Sequence, residues 1–138
     1  MSSEDVRGAI KHIDRYKQLI SYEGLERHRK ITPTDIDGLI DYSGNAFILM
    51  ECKLITKEID YGQKLAIENV VNSLSEAGKQ ACCLLFKHDK SPDEIIDAKS
   101  CIVYDIYYRG KWHHYGTKTV LFYVEQFEKH WKEMGIYL

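Results

Sequence analysis

Residues 81–86 read ACCLLF, and this uninterrupted apolar run constrains the fold more than any other segment. A strand that is apolar on both faces is typical of the interior of a sheet with helices on both sides. A predicted strand at 46–54 and a predicted amphipathic helix at 61–77 precede a strand at 81–87. Together they predict a βαβ unit, whose two strands are expected to be parallel.

The remaining patterned segments extend this unit towards both ends of the chain. Apolar residues at helical spacing from Val6 predict an N-terminal helix, and a hairpin with the turn SGN is predicted to join strand 36–42 to strand 46–54. After residue 87 we predict a short helix at SPDEII, a strand pair around the turn RG, and a C-terminal amphipathic helix. The expected fold is one α/β domain over residues 1–138, with a mixed sheet of about five strands flanked by helices.

Composition and charge narrow the class of protein. The chain has 138 residues, of which 29% are charged, and a net charge of −2. We expect no membrane association, because no apolar run reaches spanning length and the N-terminus lacks a signal core. The four cysteines lie in apolar runs without a CxxC pair, so we expect buried free thiols and no zinc. The expected location is the cytoplasm.

Charged residues interrupt both strands of the predicted hairpin. With a three-residue loop, Asp37 lies opposite Glu51, and Lys53 lies two residues further along the same face. A two-residue loop would place Asp37 on the other face. Two adjacent carboxylates repel each other unless a cation lies between them, and an all-oxygen site suits Mg²⁺ or Mn²⁺. With a lysine beside it, this pattern favours metal-assisted hydrolysis of phosphodiesters over a salt-bridged sheet edge.

Asp37, followed after thirteen residues by Glu51-Cys52-Lys53, resembles the motif of the PD-(D/E)xK nuclease superfamily. The segments TPTDIDG, FILMECK and YGQK are similar to those of small phage and prophage proteins assigned to it, and the likeness covers roughly residues 30 to 115. It implies a restriction-endonuclease-like core, with Asp37 and Glu51 as metal ligands and Lys53 as the catalytic lysine. The Cys52 carbonyl is a possible further ligand.

The sequence departs from the family motif at the proline. Pro33 does not directly precede the acid, so both Asp35 and Asp37 remain candidates, and the hairpin register favours Asp37. Gln63 either caps the helix at 61–77 or corresponds to a helix glutamine found in several such nucleases. His88 is expected at the same sheet edge, where it contacts phosphate, orients the metal-bound water or is a solvated histidine. Glu26 is either an additional carboxylate of the site or a surface acid at the end of the N-terminal helix.

The expected partner is DNA, including branched or junction DNA. A local phosphate-binding surface is expected despite the negative net charge, formed by Arg27, Arg29, Lys30, Lys57, Lys64 and Lys87. The alternative is a nucleic-acid-binding or assembly module that keeps the nuclease fold and does not cleave. We also expect a homodimer, because cutting both strands of a duplex needs two sites. The candidate interfaces are the N-terminal helix, or the C-terminal helix with an exposed Trp131 or Tyr137.

Overall fold

A computed structural model describes residues 19–138 of the chain. Two compact units are distinguished, Met1–Pro33 and Thr34–Leu138. The predicted N-terminal helix lies outside the described residues, and the prediction of one domain over residues 1–138 stays a prediction. The described part of the first unit forms loops and one short 3-10 turn, His28–Lys30.

The second unit is built on a five-stranded mixed sheet in which the strands follow one another in chain order. The strands are β1 Gly38–Asp41, β2 Ala46–Leu54, β3 Gln80–His88, β4 Ile102–Tyr108 and β5 Lys111–His114. β2 and β3 are parallel, and every other neighbouring pair is antiparallel. The predicted mixed sheet of five strands and its parallel pair are confirmed.

Two α-helices, α1 (Tyr61–Glu76) and α2 (Val120–Glu133), cover opposite faces of the sheet. Strand alternation divides the buried side chains between them. The first core joins α1 to one face through Leu49, Ile67, Val71, Cys83 and Leu85. The second joins α2 to the other face through Ile48, Cys82, Leu84, Val103 and Trp131. The run 81–86 is therefore buried on both faces, as predicted.

The helix predicted at SPDEII is absent. The Glu94 amide donates to the Ser91 carbonyl, and the Glu94 carboxylate accepts from the Ser91 hydroxyl and amide, so the expected cap does close one turn. The chain then leaves the helical path, and Ile95 is 85% exposed. Helix propagation depends largely on packing of an apolar face, and this segment lacks a packed face.

The proposed interface role of Trp131 is wrong. Its side chain is completely buried, its indole packs on Phe127 at a centroid distance of 5.2 Å, and its Nε1 donates to the Tyr108 hydroxyl at 3.4 Å. The helical spacing predicts an apolar face on α2 that includes Trp131, and this face packs on the sheet and not on a second protomer. Tyr137, in contrast, is exposed.

All four cysteines are free thiols, as predicted, and Cys82 and Cys83 lie buried on opposite faces of β3. Cys52 and Cys101 are only partly buried, so the predicted burial is wrong for these two. Within residues 19–138, neither helix has the length and apolar character that crossing a bilayer requires.

Candidate active site

The loop between β1 and β2 sets the position of the candidate site. Residues 43–45 form a three-residue loop, which is closed by a hydrogen bond from the Tyr42 amide to the Ala46 carbonyl at 2.9 Å. Ser43 and Gly44 adopt positive φ angles of 54° and 80°, and such a turn favours residues that tolerate the left-handed region. Leu39 therefore pairs with Leu49 and Gly38 with Met50, which is the register predicted from the sequence.

This register brings Asp37, just before β1, against Glu51 on β2. The Asp37 amide donates to Glu51 Oε2 at 3.4 Å, and Asp37 Oδ2 accepts from the Cys52 amide at 2.8 Å. The Glu51 side chain is almost completely buried, at 2% exposure, whereas Asp37 is exposed. One carboxylate thus lies at the surface and its neighbour beneath it.

The second oxygen of Glu51 contacts α1 and Lys53. Gln63 Nε2 donates to Glu51 Oε1 at 2.7 Å, and Lys53 Nζ lies 3.6 Å from the same oxygen. The alternative role of Gln63 as a capping residue is not what the structure shows, since Asp60 makes no side-chain cap hydrogen bond. Gln63 instead fixes the orientation of the Glu51 carboxylate.

Between the two candidate aspartates, the geometry favours Asp37. Asp35 contributes its main-chain carbonyl, which accepts from Gln63 Nε2 at 3.5 Å, and the residue is exposed. The carboxylate that is hydrogen-bonded to β2 belongs to Asp37.

The surroundings of Glu51 oppose its negative charge. Burial raises the pKa of Glu51 to about 7, the nearby negative charge of Asp37 adds to this shift, and the hydrogen bond from Gln63 acts in the opposite direction. A cation held between the two carboxylates would remove the repulsion and favour the ionised form of Glu51. The pair therefore fits a bound cation on electrostatic grounds.

The donor atoms also decide which cation fits. Carboxylate and carbonyl oxygens are hard ligands, which suit Mg²⁺ or Mn²⁺. Cys52 can offer only its main-chain carbonyl, because its thiol packs against the core beneath α2. Burial is the main cause that raises the pKa of this thiol to about 11, and the nearby Cys101 adds to the shift. Within residues 19–138, no cluster of three or more His, Cys, Asp or Glu side chains has a metal-binding arrangement. A cation here would need water to complete its coordination, as Mg²⁺ commonly does.

The parallel pair of β2 and β3 places two lysines side by side. Lys53 pairs in register with Lys87, whose ammonium contacts Glu58 at 2.9 Å and lies 4.8 Å from the centre of the Tyr104 ring. Sequence patterns missed Glu58 and Tyr104. The predicted parallel pairing of strands 46–54 and 81–87 already places Lys87 beside Lys53. Glu58 lies in the segment that directly follows the first of these strands, and this was the available signal for its contact with Lys87.

The structure does not bring His88 to the carboxylate pair. His88 pairs in register with Leu54, and its Nδ1 accepts from the Lys90 amide at 3.1 Å. It lines an open cleft of about 600 Å³, together with Lys87, Lys90 and Tyr104.

The remaining basic candidates fall into two sets. In the second unit, Lys57 is exposed in the turn after β2, and the Lys64 ammonium lies 4.8 Å from the centre of the Trp112 ring. Glu26, Arg27, Arg29 and Lys30 belong to the first unit, where the Glu26 carboxylate accepts from the Gly24 amide and the Arg27 guanidinium donates to two carbonyls. Their roles at the site stay predictions.

Comparison of the chain with protein-family models, with curated proteins and with solved structures gives no match. A function is therefore inferred from the geometry of the four residues Asp37, Glu51, Lys53 and Gln63.

Proposed function

We propose that this protein is a metal-dependent nuclease of the PD-(D/E)xK type, which hydrolyses phosphodiester bonds in DNA. The observation that carries the proposal is the meeting of Asp37 with Glu51 at one sheet end, with the Lys53 ammonium 3.6 Å from Glu51. A mixed sheet with a helix on each face is compatible with the restriction-endonuclease-like core that the sequence motif implies.

The carboxylates of Asp37 and Glu51, with the Cys52 carbonyl, would hold Mg²⁺ or Mn²⁺. When bound, such an ion lowers the pKa of a water molecule and offsets the negative charge that grows on the scissile phosphate. Gln63 and the Cys52 amide restrain the two carboxylates before any ligand arrives. This preorganisation reduces the cost of assembling the site.

Lys53 has a role separate from metal binding. Its side chain is partly exposed, at 23%, while the side chain of Glu51 beside it is buried. A cation in this position can orient the attacking water and stabilise the charge that develops on the phosphate oxygens. Lys87, the neighbour of Lys53 in the sheet, and the exposed Lys57 would contact phosphates away from the cleavage point.

One observation favours the alternative, a nucleic-acid-binding module that does not cleave. Both oxygens of Glu51 already have protein partners: the Asp37 amide contacts one, and Gln63 and Lys53 contact the other. Such a carboxylate can also serve as a structural ion-pair partner beneath the sheet end.

A cleavage panel separates the two functions. Purified protein is incubated with linear duplex, branched junction, single-stranded DNA and RNA, each with Mg²⁺, Mn²⁺ or EDTA. The nuclease proposal predicts metal-dependent cleavage that Glu51→Gln abolishes. Binding of DNA without cleavage of any substrate would support the alternative.

The chain provides a matched control for this experiment. Asp97 and Lys99 form a second acid-x-Lys pair, with an ion pair of 2.8 Å, that is separate from Asp37 and Glu51. Lys99→Met should cleave at the wild-type rate. If Glu51→Gln retains that rate as well, the activity does not come from this site.

A further inference from the structure

A pocket of about 410 Å³ lies on the sheet face covered by α2, between that helix and strands β4 and β5. Its floor includes the buried side chain of Ile106. Glu51 and Gln63 lie on the other face, against the core beneath α1. Whatever this pocket binds is therefore independent of the carboxylate site and of the proposed nuclease function.

One group of rings in the pocket is formed by Tyr108, Phe127 and His130. Tyr108 contacts Phe127 edge to face, at a centroid distance of 5.0 Å and an angle of 76°, and His130 at 6.4 Å and 85°. These contacts fix the ring of Tyr108 against α2.

A second group is formed by Tyr115, Phe122 and Tyr123. Tyr123 packs on Tyr115 at 5.1 Å and on Phe122 at 5.1 Å. Tyr115 and Phe122 remain 46% and 38% exposed. Large aromatic surface thus faces the pocket from both groups, which is the lining that small-molecule sites commonly have.

Two cationic groups flank the pocket without being part of its lining. The Lys118 ammonium lies 5.4 Å from the centre of the Phe122 ring, and the Arg109 guanidinium lies 5.0 Å from that of Tyr108. The lining includes His113, Gln126 and His130, and none of its residues among positions 19–138 is an aspartate or glutamate. The matching ligand is planar, aromatic and anionic, with polar groups on its edge.

We infer that this pocket binds a mononucleotide, with its base between the two groups of rings and its phosphate at Lys118. Bases stack on aromatic side chains whatever their identity, because each has a π face. Gln126 and the two histidines provide hydrogen-bonding groups for the edge of the base. The Lys118 ammonium can form an ion pair with the phosphate of a nucleotide, and a nucleoside has no phosphate to make this contact.

The chain carries a fluorescent reporter for this site. Of its two tryptophans, Trp131 contacts Phe127 and Tyr108 next to the pocket, whereas Trp112 packs beneath the opposite face with Tyr107. In the Trp112→Phe protein, Trp131 is the only tryptophan, and its fluorescence reports on this side of the sheet, where its ring also packs on Tyr42. Calorimetry on the unmodified chain supplies a second readout.

The protein is titrated with AMP, adenosine, inorganic phosphate and a short single-stranded DNA. We expect saturable binding of AMP, binding of adenosine weaker by about tenfold, which corresponds to about 1.4 kcal/mol, and no response to phosphate. Phe122→Ala should abolish binding of both AMP and adenosine. Lys118→Ala should reduce the affinity for AMP to that for adenosine.

Leu121→Ala is the matched control, since Leu121 is 43% exposed on the same helix and does not line the pocket. Circular dichroism establishes that each variant is folded, and Asp37→Ala should bind AMP normally. The inference is overturned if AMP gives no saturation at about 5 mM, or if phosphate binds as well as AMP. It is equally overturned if Leu121→Ala or folded Asp37→Ala loses binding, or if only the DNA strand binds.

Discussion

Glu51 keeps its proton to a higher pH in the folded chain than in the unfolded one. Its pKa rises from an ordinary value of 4.5 to about 7, chiefly because the side chain is buried. The folded state therefore binds more protons than the unfolded state between these values, and the stability contributed by this group falls as pH rises through that window. Above about 7 no further loss is expected from Glu51.

Glu51→Gln tests this directly. The amide keeps an oxygen for Gln63 and removes the charge, so the variant should gain stability at pH 8, on the order of 2 kcal/mol, and lose little at pH 5. Urea unfolding at the two pH values measures the difference. Glu58→Gln is the control, because Glu58 is largely exposed and lies outside the carboxylate pair. An unaltered pH dependence in Glu51→Gln would refute the assignment of the titration to Glu51.

Lys53 is expected to act on the rate of cleavage and not on metal affinity. Lys53→Met should bind Mg²⁺ and DNA as the wild type does, yet cleave more slowly by a factor on the order of 10², which is typical of one electrostatic group. Thermal shifts with and without Mg²⁺ measure the first property, and single-turnover cleavage measures the second. Loss of the Mg²⁺-induced shift in Lys53→Met would assign the lysine to the structure of the metal site.

At the scale of the elements, the contact between α1 and the hairpin holds the site together. Gln63 is buried in the first turn of α1 and reaches both Glu51 and the Asp35 carbonyl. Its hydrogen bond lowers the pKa of Glu51, against the effect of burial. Removal of the amide should therefore raise the pKa of Glu51 further and weaken metal binding.

We predict that Gln63→Leu reduces the affinity for Mg²⁺ by about tenfold, the equivalent of one charge-assisted hydrogen bond of about 1.4 kcal/mol. Calorimetric titration at pH 7 measures the loss, which should become smaller at pH 9, where Glu51 is ionised in both proteins. Leu65→Ala, a change at an exposed position of the same helix, is the control. An equal loss at both pH values would mean that Gln63 acts by a route other than the ionisation of Glu51.

At the scale of the whole molecule, the expected homodimer must use surface other than Trp131. Tyr137 follows α2 and is 80% exposed, and Met134 at the end of the same segment is also exposed. We expect a dimer in light scattering at about 50 μM, the order of a moderate dissociation constant, and a monomer for Tyr137→Ser. Tyr61→Ser, at a comparably exposed tyrosine on α1, should remain dimeric. A monomeric wild type at that concentration would remove the dimer from the proposal.

Local patterns in the sequence were sufficient to predict the strands and the helix that position the site. The apolar run 81–86, the helical spacing before it and the three-residue loop predict β2, α1, β3 and the register of the hairpin. They succeed because alternation and helical periodicity are properties of neighbouring residues. From that register, the meeting of Asp37 with Glu51 follows by counting along two strands.

Contacts between distant parts of the chain determine which of two available partners each ambiguous side chain takes. Gln63 donates to Glu51 and does not cap its helix, and Trp131 is buried between α2 and the sheet. The helical turn that begins at Ser91 does not continue, because Ile95 is exposed and does not pack on the core. The rings around Phe122 likewise form a pocket only because β4, β5 and α2 converge there. Each of these outcomes depends on contacts between residues distant in the chain, and the spacing of residues along one element carries no information about them.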